Sequence, residues 1–239
     1  MGQLDGRVAL ITGASRGLGA AIAERFAAEG AHVICVARTV GGLEDTDDRV
    51  KKVGGHATLV PADIAKPDTA PKLAAAIFER FKKLDIFIGN AAALGVLSPI
   101  GMGEPKHWPS TFATNVFANQ ALLAQLDPLL RGGPSGRAIF VTCRQGSQVT
   151  PYWNAYAASK AALEMMARSY AAETVKSPLK VNLVDPGAMR TKLRAQAFPG
   201  EDPAKVPPPE TVAGLFVELA SADCRQTGQL IAAWPSRDS

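Results

Sequence analysis

Seven short, almost wholly apolar runs recur along this chain, each separated from the next by a longer amphipathic stretch. That alternation constrains the fold more than any other feature. The runs are RVALIT (7–12), HVICVA (32–37), ATLV (57–60), DIFIG (85–89), RAIFVT (137–142), KVNLV (180–184) and GQLIAA (228–233). Unbroken apolar character is what a strand shows when helices cover both faces of its sheet. The stretches between predict helices over 17–29, 43–53, 68–82, 106–130, 156–175 and 209–221. On 156–175 the alanines and methionines leave Glu164, Arg168 and Glu173 for solvent. Repeated βα units predict an α/β fold, a doubly wound seven-stranded parallel sheet with helices on both faces. One domain over residues 1–239 buries enough core to need neither disulfides nor metals. The longest stretch without periodicity, 187–208, follows the sixth strand, where open α/β sheets bind ligands, and it predicts a lid.

Composition narrows the class. Hydrophobic residues make up 47% of the chain, which argues against disorder. The 26 basic and 22 acidic side chains leave a net charge of +4, too mild for a nucleic-acid surface. No apolar run approaches the ~18 residues of a membrane span. Only Arg7 precedes the first apolar run, which flows straight into a glycine turn, so no secretory signal is expected there. Cys35, Cys143 and Cys224, like His32, His56 and His107, are dispersed without metal-ligand spacing. The expectation is no metal and a reducing, cytoplasmic setting.

The first strand runs into Thr12-Gly13-Ala14-Ser15-Arg16-Gly17-Leu18-Gly19, and a helix follows. Gly13 permits the tight exit from the strand, Gly17 lets phosphate oxygens approach the backbone, and Gly19 lets the helix pack close to the sheet. The unpaired N–H groups at the helix start then suit a diphosphate. In this setting the Gly-x-x-x-Gly-x-Gly spacing resembles that of the short-chain dehydrogenase/reductase family. Further segments carry the resemblance in family order across about residues 4–232: Asn90-Ala91-Ala92 after the fourth strand, Asn115 in the long helix, Tyr156-Ala157-Ala158-Ser159-Lys160 as Tyr-x-x-x-Lys, and Pro186-Gly187 after the sixth strand. The resemblance implies a Rossmann fold, a small-molecule carbonyl or alcohol substrate, and a homodimer or homotetramer formed through the helices at 106–130 and 156–175. It also implies a nicotinamide cofactor contacted by Gly13, Ser15, Arg16, Gly17, Leu18, Gly19, Arg38, Asp63, Ile64, Asn90, Ala91, Tyr156, Lys160, Pro186, Gly187 and Thr191.

Charge bears on which cofactor. An acidic residue ending strand two would bind both ribose hydroxyls and repel a 2′-phosphate. That position holds Ala37, followed by Arg38, with Arg16 in the phosphate turn. Two guanidinium groups suit a phosphate, and in the family such a pair implies NADPH over NADH. Asp63 matches the residue that contacts the adenine ring; a helix cap is its other reading.

Tyr156 and Lys160 lie four apart, on one helix face. An ammonium near a phenol lowers its pKa from about 10, as carbonyl–alcohol interconversion needs. The resemblance makes Tyr156 the proton donor or acceptor and Lys160 the residue holding the nicotinamide ribose. It gives Asn115 the role of keeping a water beside that lysine. The family serine, thirteen residues before the tyrosine, is here Cys143, a larger and weaker donor than a hydroxyl. Thr142 and Ser147 are candidate substitutes, and no neighbouring histidine activates Cys143 as a nucleophile. Thr191 is expected at the carboxamide or diphosphate. Tyr152, Trp153, Met189 and Phe198 are expected on an apolar substrate, with Arg144 and Gln145 available for polar groups. The reading is an NAD(P)(H)-dependent oxidoreductase; a dinucleotide-binding sensor or scaffold with little turnover is the alternative that Cys143 favours.

Overall fold

The computed structural model describes residues 2–233; most of the tail AAWPSRDS (232–239), which the sequence leaves free to reach a neighbouring subunit or to fray, lies outside the described residues. Seven parallel strands form one sheet: β1 (Val8–Thr12), β2 (His32–Ala37), β3 (His56–Pro61), β4 (Ile86–Gly89), β5 (Arg137–Val141), β6 (Lys180–Asp185) and β7 (Leu230–Ala232). Their order is β3-β2-β1-β4-β5-β6-β7. The fold is the expected single Rossmann-type domain. Chain order reverses between β1 and β4, which pair with Leu10 against Phe87, so a crevice opens above the carboxyl ends of those two strands.

Alternate residues of each strand feed two separate cores. Ala9 and Ile11 pack under α1 (Gly17–Ala28), α2 (Val40–Lys52) and the late helix that ends with Phe216 and Ala220. Val8 and Leu10 face α3 (Thr69–Phe81) and two long helices described next. The described residues hold eight helices in all, the remaining five being α4 (His107–Phe112), α5 (Ala118–Gly132), α6 (Asn154–Glu173), α7 (Lys192–Ala197) and α8 (Ala213–Ala220). At the opposite end from the crevice, buried Arg7 and Arg137 donate to backbone carbonyls of the loops and helix ends. Arg7 reaches the Asp85, Ser135 and Ala220 oxygens; Arg137 reaches those of Ser221 (3.0 Å) and Ala222 (2.8 Å). Burial draws the Arg7 guanidinium down to about 10.

Several elements differ from expectation. The single helix over 106–130 is α4 and α5 joined by a π-helical stretch, Ala113–Phe117, which turns Asn115 inward. α2 starts at Val40, ahead of 43, because Gly42 lets the first turn lie against the glycine loop; a Cβ there would stand 2.8 Å from the Ser15 carbonyl oxygen. The start of the 209–221 segment, Pro209–Val212, is a 3-10 turn. The 187–208 stretch is not structureless: Thr191 caps the six-residue α7, and Pro203–Lys205 forms a further turn. Glu164, expected in solvent beside the exposed Arg168 and Glu173, is only 2% exposed.

Candidate functional site

The crevice floor is built by the glycine loop. Gly13 (φ +67°) and Gly17 (φ +56°) adopt left-handed backbone, which favours glycine. Gly19 is needed for closeness: a Cβ there would meet the Gly13 carbonyl oxygen at 2.4 Å and Asn90 Nδ2 at 2.7 Å. Asn90 ties β4 to this loop, its side-chain amide donating to the Thr12 carbonyl at 2.8 Å. Thr12 is the hub beneath. Its hydroxyl donates to the Ile88 carbonyl (3.1 Å) and accepts from the Asn90 and Ala91 N–H groups (3.0 and 3.1 Å). Sequence reasoning does not single out Thr12; its place as the last residue before Gly13 is the only signal. Ser15, Arg16, Gly17 and Leu18 line the crevice, while Gly19 packs behind it.

At the end of β2, Arg38 follows buried Ala37, and both line the crevice together with Asp63, Ile64 and Ala91. Asp63 also caps its own segment, accepting from the Ala65 N–H at 3.0 Å. Lys192, which sequence reasoning passes over, lines the same space beside Arg16 and Arg38 and continues with them into a neighbouring cleft walled by Leu94 and Leu97. No ion pair among the described residues engages these three cations.

The other end of the crevice is set by β5 and α6. Tyr156 (5% exposed) and Lys160 (2%) project from α6 toward the β5 terminus. Lys160 Nζ donates to the Val141 carbonyl at 2.8 Å and lies 5.7 Å from the centre of the Tyr156 ring. Cys143 packs at the cluster that holds Trp153 and Tyr156 and lines the crevice beside Tyr156. Burial raises the Tyr156 phenol well above its ordinary value, and the adjacent Cys143 and Asp185 add to this. Burial also draws Lys160 down, against the pull of Cys143, Glu164 and Asp185. The expected lowering of the phenol by Lys160 is therefore corrected: in the protein alone, burial sets the direction. Burial likewise pushes the Cys143 thiol up, so it is no thiolate nucleophile.

The two substitute hydroxyls are not available to it. Thr142 donates to Glu164 Oε1 at 2.7 Å, and exposed Ser147 turns back to the Arg144 carbonyl at 3.4 Å. Asn115 is fully buried outside the crevice. Its amide clasps Ala93 in both directions (2.8 and 3.0 Å) and donates to Ser159 Oγ at 2.9 Å, which pins the segment after β4 to the turn of α6 that carries Lys160.

The chain after β6 forms the roof. Pro186, Gly187 (φ +71°), Met189 and Thr191 line the crevice. Thr191 sits over the phosphate turn, where a Cβ on Gly17 would meet its Cγ2 at 3.3 Å. Its hydroxyl accepts from the Arg194 N–H at 3.2 Å, capping α7. Leu193, Ala197 and Phe198 pack on Trp153, with Phe198 and Trp153 ring centres 5.8 Å apart and Trp153 to Tyr156 5.7 Å. Arg194 lies 3.7 Å over the Phe198 ring and forks onto Glu201 at 2.6 and 2.7 Å. Of the expected substrate contacts, Trp153 and Met189 line the crevice, as does Gln145; Tyr152 is 64% exposed, and Arg144 is held by Gln148.

A dinucleotide fits what these residues offer. The start of α1 has neither an acidic residue nor a side-chain cap to satisfy its N–H groups, and the two close glycines keep that space open. Unpaired cations stand where phosphates would lie, and an ammonium and a phenol close the far end.

Comparison with known proteins agrees. The family model described as short chain dehydrogenase matches residues 7–202. The uncharacterized oxidoreductase YciK of Escherichia coli (strain K12) is 34% identical over 238 residues, covering 98% of this chain and 94% of the relative. A solved short chain dehydrogenase from Salmonella enterica serovar Typhi superposes with a TM-score of 0.94 at 32% identity, covering 98% of both chains. Another, from Escherichia coli CFT073 and complexed with NADPH, superposes at 0.92 with 33% identity and 98% coverage of both. No helix among the described residues is long and apolar enough to cross a membrane. The chain belongs to the short-chain dehydrogenase family, and it is an NAD(P)-dependent oxidoreductase.

Proposed function

We propose that this oxidoreductase interconverts a small-molecule carbonyl and its alcohol, uses NADP(H) in preference to NAD(H), and moves the proton through Tyr156. The observation that carries this reading is the pairing of buried Tyr156 with buried Lys160, 5.7 Å from its ring centre, beside Cys143 at the closed end of a cation-lined crevice. When bound, the nicotinamide supplies or takes up the hydride. Tyr156 Oη donates its proton to the substrate oxygen in reduction and recovers it in oxidation. The Cys143 S–H donates a second, weaker hydrogen bond to the same oxygen. Lys160 Nζ holds the nicotinamide ribose hydroxyls, and Asn115 keeps the wall behind Lys160 in place and, as in the family, a water beside it.

Arg16 and Arg38 hold the 2′-phosphate, helped by Lys192. Gly13, Ser15, Gly17, Leu18 and Gly19 shape the diphosphate cradle, while Asp63 and Ile64 flank the adenine. Asn90, Ala91, Pro186, Gly187 and Thr191 border the nicotinamide half. Residues 187–208 act as the lid that excludes water from the reaction. Exposed Phe117 and Met165 on the helical face support a homodimer or homotetramer, and the chain's composition supports a cytoplasmic setting. A panel of ketones and aldehydes, followed by loss of NADPH absorbance, tests the reading. Tyr156→Phe is expected to lower turnover by about 10²–10⁴-fold while NADPH affinity holds. A variant that retains most of the parent's turnover assigns the proton to another group.

A further inference from the structure

One turn beyond Lys160 on α6 lies a carboxylate that the proposed proton transfer leaves out. Carboxylates are almost never fully buried unless paired, yet Glu164 is 2% exposed. Its i+4 partner Arg168 is 3.4 Å away, with 43% of its side chain in solvent. A pair of that kind forms equally well on a helix surface, so it does not account for the burial. The closer contact is across the fold: Thr142 Oγ1 donates to Glu164 Oε1 at 2.7 Å. The next residues wrap the same oxygen. A Cβ on Gly146 would stand 2.4 Å from Glu164 Oε1 and 3.0 Å from Thr142 Oγ1, so this turn accommodates the carboxylate head only because glycine is there. The Gly146 N–H donates to the Cys143 carbonyl at 2.9 Å and closes the turn. Cys143 is thus held from both sides, through Thr142 before it and Gly146 after it.

We infer that Glu164 is a positioning residue, whose carboxylate holds the Thr142–Gly146 turn so that Cys143 keeps its place in the crevice beside Tyr156. The inference rests on the proposed role of Tyr156 for its meaning in turnover, while the turn itself is open to a separate measurement. The acceptor oxygen is what matters in this arrangement. Glutamine at 164 still offers an oxygen to Thr142, whereas leucine offers none, and valine at 142 keeps the shape of threonine without the donor.

The test is the rate at which iodoacetamide alkylates Cys143 in the full chain carrying Cys224→Ser, with Cys35 fully buried and silent. Loss of one buried hydrogen bond shifts local opening about tenfold. Thr142→Val and Glu164→Leu are therefore expected to alkylate about tenfold faster than the parent, and Glu164→Gln within about twofold of it. Parent-like rates in Thr142→Val, or equal acceleration in the glutamine and leucine variants, overturn the inference. Should Glu164→Leu fail to fold, the valine and glutamine variants decide alone. On any carbonyl that the parent reduces, Thr142→Val is expected to lower kcat with KM for NADPH unchanged, and Glu164→Gln to stay near the parent. A parent that reduces no carbonyl sinks the reading of Tyr156, and the alkylation rates still decide for or against Glu164.

Discussion

Tyr156 is 5% exposed, and it lines the crevice with Cys143, where the family has a serine. Burial first, then Cys143, raises its pKa, so the phenol keeps its proton across the neutral range. The sign for catalysis follows. Reduction needs the protonated form, so its kcat is expected to stay flat from about pH 6 to 9; oxidation needs the phenolate and is expected to rise with pH over that window. A reduction profile that falls between pH 6 and 8 would contradict this, as would an oxidation profile that is level. The second expectation concerns the thiol. Cys143→Ser puts a stronger donor beside the developing alkoxide, and turnover is expected to rise roughly tenfold, below the ~2–4 kcal/mol that removal of a dedicated oxyanion donor costs elsewhere. NADPH affinity should not move. Equal turnover in Cys143→Ser and Cys143→Ala would show that the position has no part in the chemistry.

Three elements meet over the diphosphate region: the end of β2, the glycine loop and α7. Exchanging the charge at the β2 end, Ala37→Asp with Arg38→Ala, is expected to reverse the order of dissociation constants for NADPH and NADH; equal constants in the parent would remove the charge argument. α7 and the residues after it are expected to exchange amide hydrogens slowly only when cofactor and substrate are both present, and equal protection with and without ligands would rule out a lid. Strands were the most legible elements in the sequence, because burial on both faces leaves an unbroken apolar signature, as in VALIT and RAIFV. The glycine loop and Tyr156 with Lys160 were legible because fixed spacing carries them. α7 was not: a six-residue helix has too few turns to show a period, and its cap Thr191 stood out only through the family resemblance. Glu164 was misread because a single acid among alanines and methionines looks solvated, and its partner Thr142 lies 22 residues away.

Across the whole molecule, one sheet serves two ends. Buried Arg7 and Arg137 close the amino end by binding loop carbonyls, and the carboxyl end is left open at the reversal between β1 and β4. The charge buried at that open end has a global price. Lys160 is 2% exposed, with a backbone carbonyl as its hydrogen-bond acceptor, and burial lowers its pKa. The folded state therefore holds the proton less firmly than the unfolded chain. The penalty is complete below the folded pKa and fades as pH climbs through it toward the ordinary value of about 10.4. Lys160→Met is expected to melt higher than the parent when both are free of ligand, by about 2–4 °C for each kcal/mol recovered, with the gap narrowing as pH rises toward the ordinary lysine value. A methionine variant that melts lower at pH 7 would show that the ammonium supports the fold. Because a ligand that binds only the native state adds about 2.7 kcal/mol at a hundred times its dissociation constant, the parent is sturdiest when loaded. In a cell, the lifetime of this protein would then follow the supply of whatever ligand fills the crevice, because the lysine buried there leaves an empty copy easier to unfold.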